Sequence, residues 1–235
     1  MKIQNSVALV TGANRGLGLA FARALLAAGA KKVYAAARDP GSISIPGVVP
    51  IQLDVTRADQ VEAAARECGD VTLLVNNAGI IRGGGLFGEG TVESTRAELE
   101  TNFFGPLALT RAFAPILAAN GGGAIVNVLS VLSWVVLPSG AGYSASKAAA
   151  WALTNAARNE LRAQATQVLA LHVGYMDTDM TKGIEAPKSR PEDIVLRALE
   201  ALEAGQDEVL ADDISRHVKL GLSAEPGVYL GNPAS

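Results

Sequence analysis

Short apolar runs alternate along this chain with longer amphipathic stretches, and this alternation restricts the fold more than any other feature of the sequence. The apolar runs predict strands at residues 6–12, 31–38, 48–54, 71–77, 124–130, 166–174 and 207–212. The amphipathic stretches predict helices at residues 15–29, 57–68, 93–118, 142–164 and 189–205, followed by a C-terminal helix. Most of the predicted strands are continuously apolar, which is typical of a parallel sheet covered by helices on both faces.

The repeated order of strand and helix favours βαβ crossovers, and therefore a doubly wound, Rossmann-like α/β fold with about seven strands. A length of 235 residues suits one domain of this kind. Because no linker, internal repeat or change in composition divides the sequence, we expect a single domain over residues 1–235. The helix at 189–205 is expected to begin with Ser189 as its N-cap, Pro191 in its first turn and Glu192 completing a capping box.

Composition and charge narrow the classes of function. Hydrophobic residues make up 49% of the chain and charged residues 18%, which is typical of a globular protein. The formal net charge is −3 without a lysine- and arginine-rich run, so we expect neither a nucleic acid nor a membrane as a partner. A single cysteine, Cys68, and an N-terminal segment without a signal-peptide pattern indicate a cytoplasmic protein. His172 and His217 are too isolated for a metal site, so we expect no metal and a structural role for both.

A glycine-rich turn joins the first predicted strand to the first predicted helix. The stretch VTGANRGLG holds Gly12, Gly16 and Gly18 in the spacing G-x-x-x-G-x-G. Glycines allow a tight turn and a close backbone approach, and the N-terminus of the next helix offers N–H groups to a pyrophosphate. A turn from strand to helix uses glycine in any case, but its position at the start of a βαβ unit favours a nucleotide-binding loop.

The end of the second predicted strand indicates which dinucleotide fits. An acidic residue there would bind the 2′-hydroxyl of the ribose, whereas a basic residue suits a 2′-phosphate. The strand ends in Ala37 and Arg38, and Arg15 in the glycine-rich turn adds a second guanidinium group. Asp39 argues the other way, although Asp-Pro more often serves a turn. The sequence therefore predicts a preference for NADP(H), with NAD(H) as a possible cofactor.

Tyr143 and Lys147 lie four residues apart in the stretch GYSASKA. On a helix this separation places both side chains on one face, and the residues between them are too short to cover that face. A phenol beside an ammonium group can be a proton donor or acceptor whose pKa is set by a fixed positive charge. It can also be an ordinary exposed pair, and taken alone the two residues leave both interpretations open.

Five motifs together resemble the short-chain dehydrogenase/reductase family. They are TGANRGLG, NNAG at 76–79, Asn102, Ser130 and YSASK, which occur in the order and spacing of that family. Each motif is modest, but five in register are specific, and the resemblance covers nearly the whole chain. It implies an NADP(H)-preferring carbonyl reductase that acts reversibly as an alcohol dehydrogenase.

The resemblance implies a catalytic role for four residues. Tyr143 is expected to donate a proton to the carbonyl oxygen and to act as the base in the reverse direction. Lys147 is expected to lower the pKa of Tyr143 and to hold the nicotinamide ribose. Ser130 is expected to hydrogen-bond the substrate oxygen. Asn102 is expected to lie within the long helix and to support a proton relay through water to Lys147.

The cofactor-binding set follows partly from the residues and partly from the resemblance. Its expected members are Gly12, Asn14, Arg15, Gly16, Leu17, Gly18, Arg38, Asp54, Val55, Asn77, Ala78, Gly79, Tyr143, Lys147, Gly174, Met176 and Thr178. Asp54 resembles the acid that contacts adenine in the family, although it could simply cap the next helix. Gly174 and Thr178 resemble the loop that holds the nicotinamide amide.

Apolar residues indicate the substrate. The short segment from Asp177 to Arg190 predicts a small lid and a wide pocket, so we expect a hydrophobic ketone or aldehyde. The expected pocket residues are Leu132, Trp134, Tyr175 and Met180. Two alternatives remain open: a regulator that binds NADPH without turnover, and an enzyme of this family that acts on a C=N bond.

The long predicted helices also suggest how subunits associate. The helices at 93–118 and 142–164 suit the pairing of two subunits, because Ala148, Ala149 and Ala152 permit close packing. We therefore expect a homodimer, with a homotetramer as the alternative.

Overall fold

The computed structural model describes residues 1–231, and within this range seven strands form one parallel sheet. The strands are β1 (Val7–Thr11), β2 (Lys32–Ala37), β3 (Val49–Gln52), β4 (Leu73–Asn76), β5 (Gly123–Val128), β6 (Thr166–His172) and β7 (Glu208–Leu210). Their order across the sheet is β3-β2-β1-β4-β5-β6-β7, and every neighbouring pair is parallel. This is the doubly wound, Rossmann-like single-domain fold that the sequence predicts, and the direction of winding changes between β1 and β4.

Helices cover both faces of the sheet. They are α1 (Gly16–Ala27), α2 (Ala58–Glu67), α3 (Thr91–Leu99), α4 (Gly105–Ala119), α5 (Ala141–Leu161), α6 (Pro191–Glu203) and α7 (Asp213–Gly221). In the described part of the chain, each of them is too short or too polar to cross a bilayer.

The continuous apolar character of the strands follows from this double cover. Side chains alternate along β1, so that Ala8 and Val10 pack in the core beneath α1 and α6. Val7 and Leu9 pack in the core on the opposite face, beneath α2 and α4. Because both faces are buried, an amphipathic alternation of apolar and polar residues would leave polar groups inside.

The helix predicted over 93–118 is two helices separated by a π-helical turn at Glu100–Phe104. The turn contains Asn102, whose buried side chain accepts the N–H of Ile80 and donates to the carbonyl oxygen of Ile80, both at 2.9 Å. A π turn widens the helix by about one residue per turn. The apolar pattern continues across it, so the periodicity of the sequence does not reveal the break.

The start of α6 also differs from the prediction. Arg190 is the N-cap, and it forms no side-chain cap bond within residues 1–231, whereas Pro191 is the first helical residue. Ser189 does not cap because its backbone is paired with a neighbouring segment: its N–H donates to Tyr175 and its carbonyl accepts from Asp177. This pairing keeps Ser189 extended and places it one residue before the N-cap, Arg190, where its side chain cannot complete the predicted capping box.

Close packing between β1 and α1 depends on Gly18. A Cβ atom at this position would lie 2.2 Å from the carbonyl oxygen of Gly12 and 2.6 Å from Nδ2 of Asn77. The first of these is a backbone atom at the end of β1, which cannot move without displacing the turn. Gly18 therefore sets the distance between the helix and the strand on which the glycine-rich turn is built.

We predict that Gly18→Ala lowers the free energy of unfolding by about 2–3 kcal/mol, because the added methyl overpacks this contact. The sign of this change in stability distinguishes overpacking from helix propensity, because alanine normally stabilises a helix relative to glycine by about 1 kcal/mol. Urea unfolding followed by circular dichroism measures the change. Gly69→Ala is the control, because its Cβ would lie 3.9 Å from the nearest heavy atom, an oxygen of Arg66. A Gly18→Ala protein as stable as the wild type would contradict the close packing.

Candidate active site

A cleft of about 1290 Å³ opens where the strands end at their carboxyl edge. Its wall includes Gly12 after β1, Arg38 after β2, Asn77 after β4 and Val173 after β6. Open α/β sheets bind ligands in this position, beside the strands where the winding direction changes. The cleft is therefore the candidate active site.

The glycine-rich turn forms one end of the cleft. Gly12 and Gly16 have φ values of +63° and +52°, a left-handed conformation that L side chains rarely adopt. Arg15, the N-cap of α1, makes no side-chain hydrogen bond to the helix within the described residues. The first N–H groups of α1 are therefore available to a ligand in the cleft.

The predicted cofactor-binding residues meet in this cleft with one exception. Every member of the set lines it except Gly18, which lies behind the turn against Gly12 and Asn77. Asp54 does not cap α2, whose N-cap is Arg57; its carboxylate instead accepts the N–H and hydroxyl hydrogen of Thr56.

Reciprocal hydrogen bonds join the ends of β1 and β4. The hydroxyl oxygen of Thr11 accepts the N–H groups of Asn77 and Ala78, both at 3.0 Å. In return, Nδ2 of Asn77 donates to the carbonyl oxygen of Thr11 at 2.8 Å. The side chain of Asn77 therefore holds the cleft floor in shape. Thr11 is not among the residues that the sequence predicts for the site, because its only signal is that it is a polar residue ending an apolar strand.

Two arginines border the end of the cleft near β2. Arg15 and Arg38 both line it, and Nη1 of Arg15 lies 3.6 Å from the carboxylate of Asp179. Both groups of that pair are mostly exposed, so the arginine remains accessible to an anion. Asp39 is the acidic residue near the end of β2 that would disfavour the 2′-phosphate of NADP(H). Its carboxylate accepts the N–H of Gly41 at 2.9 Å and caps a short turn.

Tyr143 and Lys147 lie in the first two turns of α5, at the other end of the cleft. The ammonium nitrogen of Lys147 is 5.7 Å from the centre of the Tyr143 ring and donates to the carbonyl oxygen of Val128 at 2.8 Å. Lys147 is buried and Tyr143 is half-buried, so the pair is not an ordinary exposed one.

Ser130 follows β5 and caps a short 3₁₀ turn. Its hydroxyl oxygen accepts the N–H of Leu132 at 3.1 Å, which leaves its own hydrogen to donate to another group. The Ser130 hydroxyl also favours the ionised phenol of Tyr143. Ser130 and Tyr143 therefore act on the same small region of the cleft.

Asn102 is joined to the same region through α5. Its Nδ2 atom donates to the hydroxyl of Ser146 at 2.9 Å, and that hydroxyl donates to the carbonyl oxygen of Tyr143 at 2.7 Å. A Cβ at Gly79 would lie 3.2 Å from Oδ1 of Asn102 and 3.8 Å from Nζ of Lys147. The absence of a side chain at Gly79 keeps the space between these two groups open.

Burial is the main cause of the pKa shifts of Tyr143 and Lys147. Removal from water raises the pKa of Tyr143 to about 12; Ser130 opposes this rise and the negative charge of Glu98 adds to it. Removal from water also lowers the pKa of Lys147 to about 8. In the protein by itself, burial therefore determines the direction of both shifts, and the expected effect of Lys147 on the pKa of Tyr143 stays a prediction.

The buried carboxylate of Glu98 was missed by the sequence analysis. It accepts the N–H of Arg82 at 2.7 Å and of Gly83 at 3.3 Å, and its side chain is 1% exposed. A glutamate in a polar helix such as α3 gives no signal of burial. Glu98 therefore fixes the segment that follows β4 along the cleft.

Apolar side chains line the cleft beside Tyr143. Three of the four expected pocket residues, Leu132, Tyr175 and Met180, are among them. The prediction for Trp134 is wrong: its ring stacks on His172 with the centroids 3.9 Å apart. Successive side chains of a short turn point in different directions, so Leu132 faces the cleft while Trp134 packs behind it.

Helix α7 completes the wall, which the sequence analysis did not anticipate. Ile214 and Val218 line the cleft. The buried carboxylate of Asp212 caps α7 through the N–H of Ser215 at 2.8 Å and accepts the N–H of Gly174 at 2.6 Å. Asp212 thereby joins the loop after β6 to the C-terminal helix.

Comparison with known proteins identifies the family. Residues 6–189 match the family model described as short chain dehydrogenase. A 3-oxoacyl-[acyl-carrier-protein] reductase from Synechocystis sp. is 32% identical over 221 residues, which cover 88% of this chain and 87% of that protein.

Solved structures agree with this assignment. A short chain dehydrogenase from Burkholderia cenocepacia J2315 in complex with NADP is 45% identical, with a TM-score of 0.92 and coverage of 96% of each chain. A short chain dehydrogenase/reductase from Burkholderia phymatum in complex with NAD is 26% identical, with a TM-score of 0.83 and coverage of 94% of each chain. The sheet order, the cleft and these matches have one explanation: this chain belongs to the short-chain dehydrogenase/reductase family.

Proposed function

We propose that this protein reduces a hydrophobic ketone or aldehyde with NADPH, and oxidises the alcohol in the reverse direction. The observation that carries the proposal is the meeting of Ser130, Tyr143 and Lys147 in the cleft whose opposite end is bordered by Arg15 and Arg38. Proton-transfer groups at one end and phosphate-binding groups at the other suit a nicotinamide dinucleotide lying between them.

The residues present fit such a cofactor. The left-handed glycines Gly12 and Gly16 let a pyrophosphate approach the N-terminus of α1. Arg15 and Arg38 offer two guanidinium groups to a 2′-phosphate, while the carboxylate of Asp39 is engaged in its own turn. When bound, NADPH supplies the hydride that the protein itself cannot supply.

The remaining cofactor contacts divide between its two halves. Asp54, Val55 and Ala78 would hold the adenosine half near β3 and β4. Lys147 and Thr178 would hold the nicotinamide half, where Gly79 leaves space beside Lys147.

Proton transfer falls to Tyr143. With its pKa raised to about 12 by burial, the phenol is neutral near pH 7 and holds the proton that a reduced carbonyl oxygen needs. The free hydroxyl hydrogen of Ser130 stabilises negative charge as it develops on that oxygen. Lys147, whose pKa is lowered to about 8, exchanges protons near neutral pH, and Asn102, which borders the same open space at Gly79, would support the return of a proton.

The wall of the cleft favours a neutral, apolar substrate. Leu132, Val135 and Tyr175 lie along it near the catalytic groups, and Met180 is 47% exposed at its edge. A partly open apolar wall accepts bulky groups through their buried surface rather than through a specific ion pair.

We predict that Tyr143→Phe lowers kcat/KM for ketone reduction by about 10²–10⁴-fold, the usual contribution of a general acid. The dissociation constant for NADPH should change little, because the phenol ring remains. Loss of NADPH absorbance with a panel of hydrophobic ketones and aldehydes measures turnover. Tyr229→Phe is the control, since Tyr229 is exposed and lies on the final short turn. Undiminished turnover by Tyr143→Phe would refute the assignment.

We predict that Arg38→Asp reduces the preference for NADPH over NADH, as the ratio of kcat/KM values, by about 10–100-fold. The substitution removes a charge-assisted contact with the 2′-phosphate and adds an acceptor for a 2′-hydroxyl. Arg23→Asp changes the same charge on an exposed position of α1 and should leave the ratio unaltered. An unchanged ratio in Arg38→Asp would contradict the cofactor assignment.

We also predict a pH dependence of stability that reports on Lys147 in the cofactor-free protein. Its pKa is about 8 when folded and near 10.5 when unfolded. Between these values the unfolded chain binds more protons, so wild-type stability rises with pH by about 1.4 kcal/mol per unit. The free energy of unfolding of wild type relative to Lys147→Met should therefore increase by about 2 kcal/mol from pH 8 to about 9.5.

Tyr143→Phe provides the comparison for this measurement. The pKa of Tyr143 is about 12 when folded against 10 when unfolded, so its contribution is complete below pH 10 and is lost above that value. The difference between wild type and Tyr143→Phe should stay constant over the same range. Urea unfolding at each pH gives both curves, and a Lys147→Met curve parallel to wild type would show that Lys147 is not desolvated.

A further inference from the structure

A buried histidine lies directly behind Ser130. His172 ends β6 and is fully buried, with Nδ1 3.4 Å from the carbonyl oxygen of Ser130. Its Nε2 atom is 3.5 Å from a carboxylate oxygen of Glu208. The ring stacks on Trp134 with an angle of 20° between the planes. Nε2 has no hydrogen-bond partner within residues 1–231, so the ring is held by its stacking on Trp134 and by the contact of Nδ1 with Ser130, a residue of the proposed active site.

A second layer joins this histidine to the C-terminal part of the sheet. Glu208 lies on β7, and both of its carboxylate oxygens are 3.1 Å from Nζ of Lys219 on α7. Lys219 in turn lies over the ring of Trp134, 4.8 Å from its centroid. The same helix α7 contributes Val218 to the wall of the cleft. The chain of contacts from α7 to Ser130 is continuous.

Burying the polar side chain of His172 costs desolvation free energy, which an apolar residue at this position would avoid. The chain neighbours of His172 are Leu171 on β6 and Val173 directly after it, and either residue type would fill the position without a desolvation penalty. Burial lowers the pKa of His172, while Glu208 opposes that effect. The pKa of Glu208 is lowered to about 2 by His172 and Lys219, so its carboxylate is charged.

The two ring nitrogens make different contacts that can be separated chemically. Nδ1 faces the backbone of Ser130, and Nε2 faces Glu208. We expect an asparagine at position 172 to bring its amide N–H near the position of Nδ1, and the longer glutamine to bring its amide N–H near the position of Nε2. One substitution therefore keeps the contact with Ser130 and the other keeps the contact with Glu208.

We propose that His172 is a positioning residue for Ser130. Its imidazole, stacked on Trp134, donates from Nδ1 to the carbonyl oxygen of Ser130 and so fixes the direction in which the hydroxyl faces the substrate oxygen. The inference rests on the proposed function, in which Ser130 stabilises charge on that oxygen. It makes β7 and α7 part of the machinery that orients the active site, although neither supplies a proton-transfer group.

The kinetic test compares His172→Gln with His172→Asn. His172→Gln should lower kcat at least about tenfold with a smaller change in KM, because misdirection of Ser130 weakens an interaction that is strongest in the transition state. His172→Asn should recover most of kcat. The dissociation constant for NADPH, measured by fluorescence titration, should stay within about twofold in both, because the glycine-rich turn is untouched.

A structural role alone would give a different pattern. Asp70→Asn is the control, because Asp70 bonds Lys32 and Tyr34 at the amino ends of the strands, away from the cleft. It should lower the free energy of unfolding without changing kcat per folded enzyme. Equal kcat values for wild type and His172→Gln, with stability lowered as in Asp70→Asn, would overturn the inference while leaving the proposed function intact.

A second measurement decides the inference without turnover. The carbonyl ¹³C resonance of Ser130 should shift between wild type and His172→Gln and return toward the wild-type value in His172→Asn. His217, the second histidine of the chain, is exposed on α7, and His217→Gln should leave the resonance unchanged. If wild type reduces no carbonyl compound, the proposed function fails, but this shift still tests the contact. An identical Ser130 resonance in wild type and His172→Gln would overturn it.

Discussion

A parallel sheet buried on both faces leaves one place where polar side chains can act, which is the edge where its strands end. The central strands contribute alternate residues to two apolar cores, so their middles cannot carry chemistry without a desolvation cost. Thr11, Asn77 and Ser130 occur where β1, β4 and β5 stop, and the change in winding direction between β1 and β4 separates the flanking loops there. The position of the cleft is thus a consequence of the sheet, and its chemistry is a consequence of the loops.

Desolvation then sets the proton states in the cleft. The same removal from water that raises the pKa of Tyr143 lowers the pKa of Lys147, and both changes favour the neutral side chain. A neutral phenol is the form that donates a proton, so burial prepares the reduction direction. The positive charge of a bound oxidised nicotinamide would shift the pKa values of Tyr143 and Lys147, because an electrostatic interaction is stronger where water is excluded.

The sequence predicts the features that follow from local pattern, and misses those that depend on contacts between distant segments. The doubly wound parallel sheet follows from the alternation of apolar and amphipathic segments, and the fold confirms it. The resemblance to the family follows from the motifs, and the family match confirms it. The π turn at Asn102 leaves the apolar pattern unbroken, so it is invisible in sequence. The buried carboxylates Glu98 and Asp212 resemble surface residues until the backbone N–H groups that they accept are placed around them. Trp134 was misassigned for the same reason, since its partner lies 38 residues away.

We propose above all that this cleft transfers a hydride from NADPH to a carbonyl carbon. The most direct measurement uses NADPH deuterated at each of the two faces of its nicotinamide in separate reactions, with the alcohol product analysed by mass spectrometry. We expect one of the two labelled cofactors to deliver deuterium to the carbinol carbon and the other to deliver hydrogen. Tight binding of NADPH with no label in any product of the ketone and aldehyde panel would contradict it.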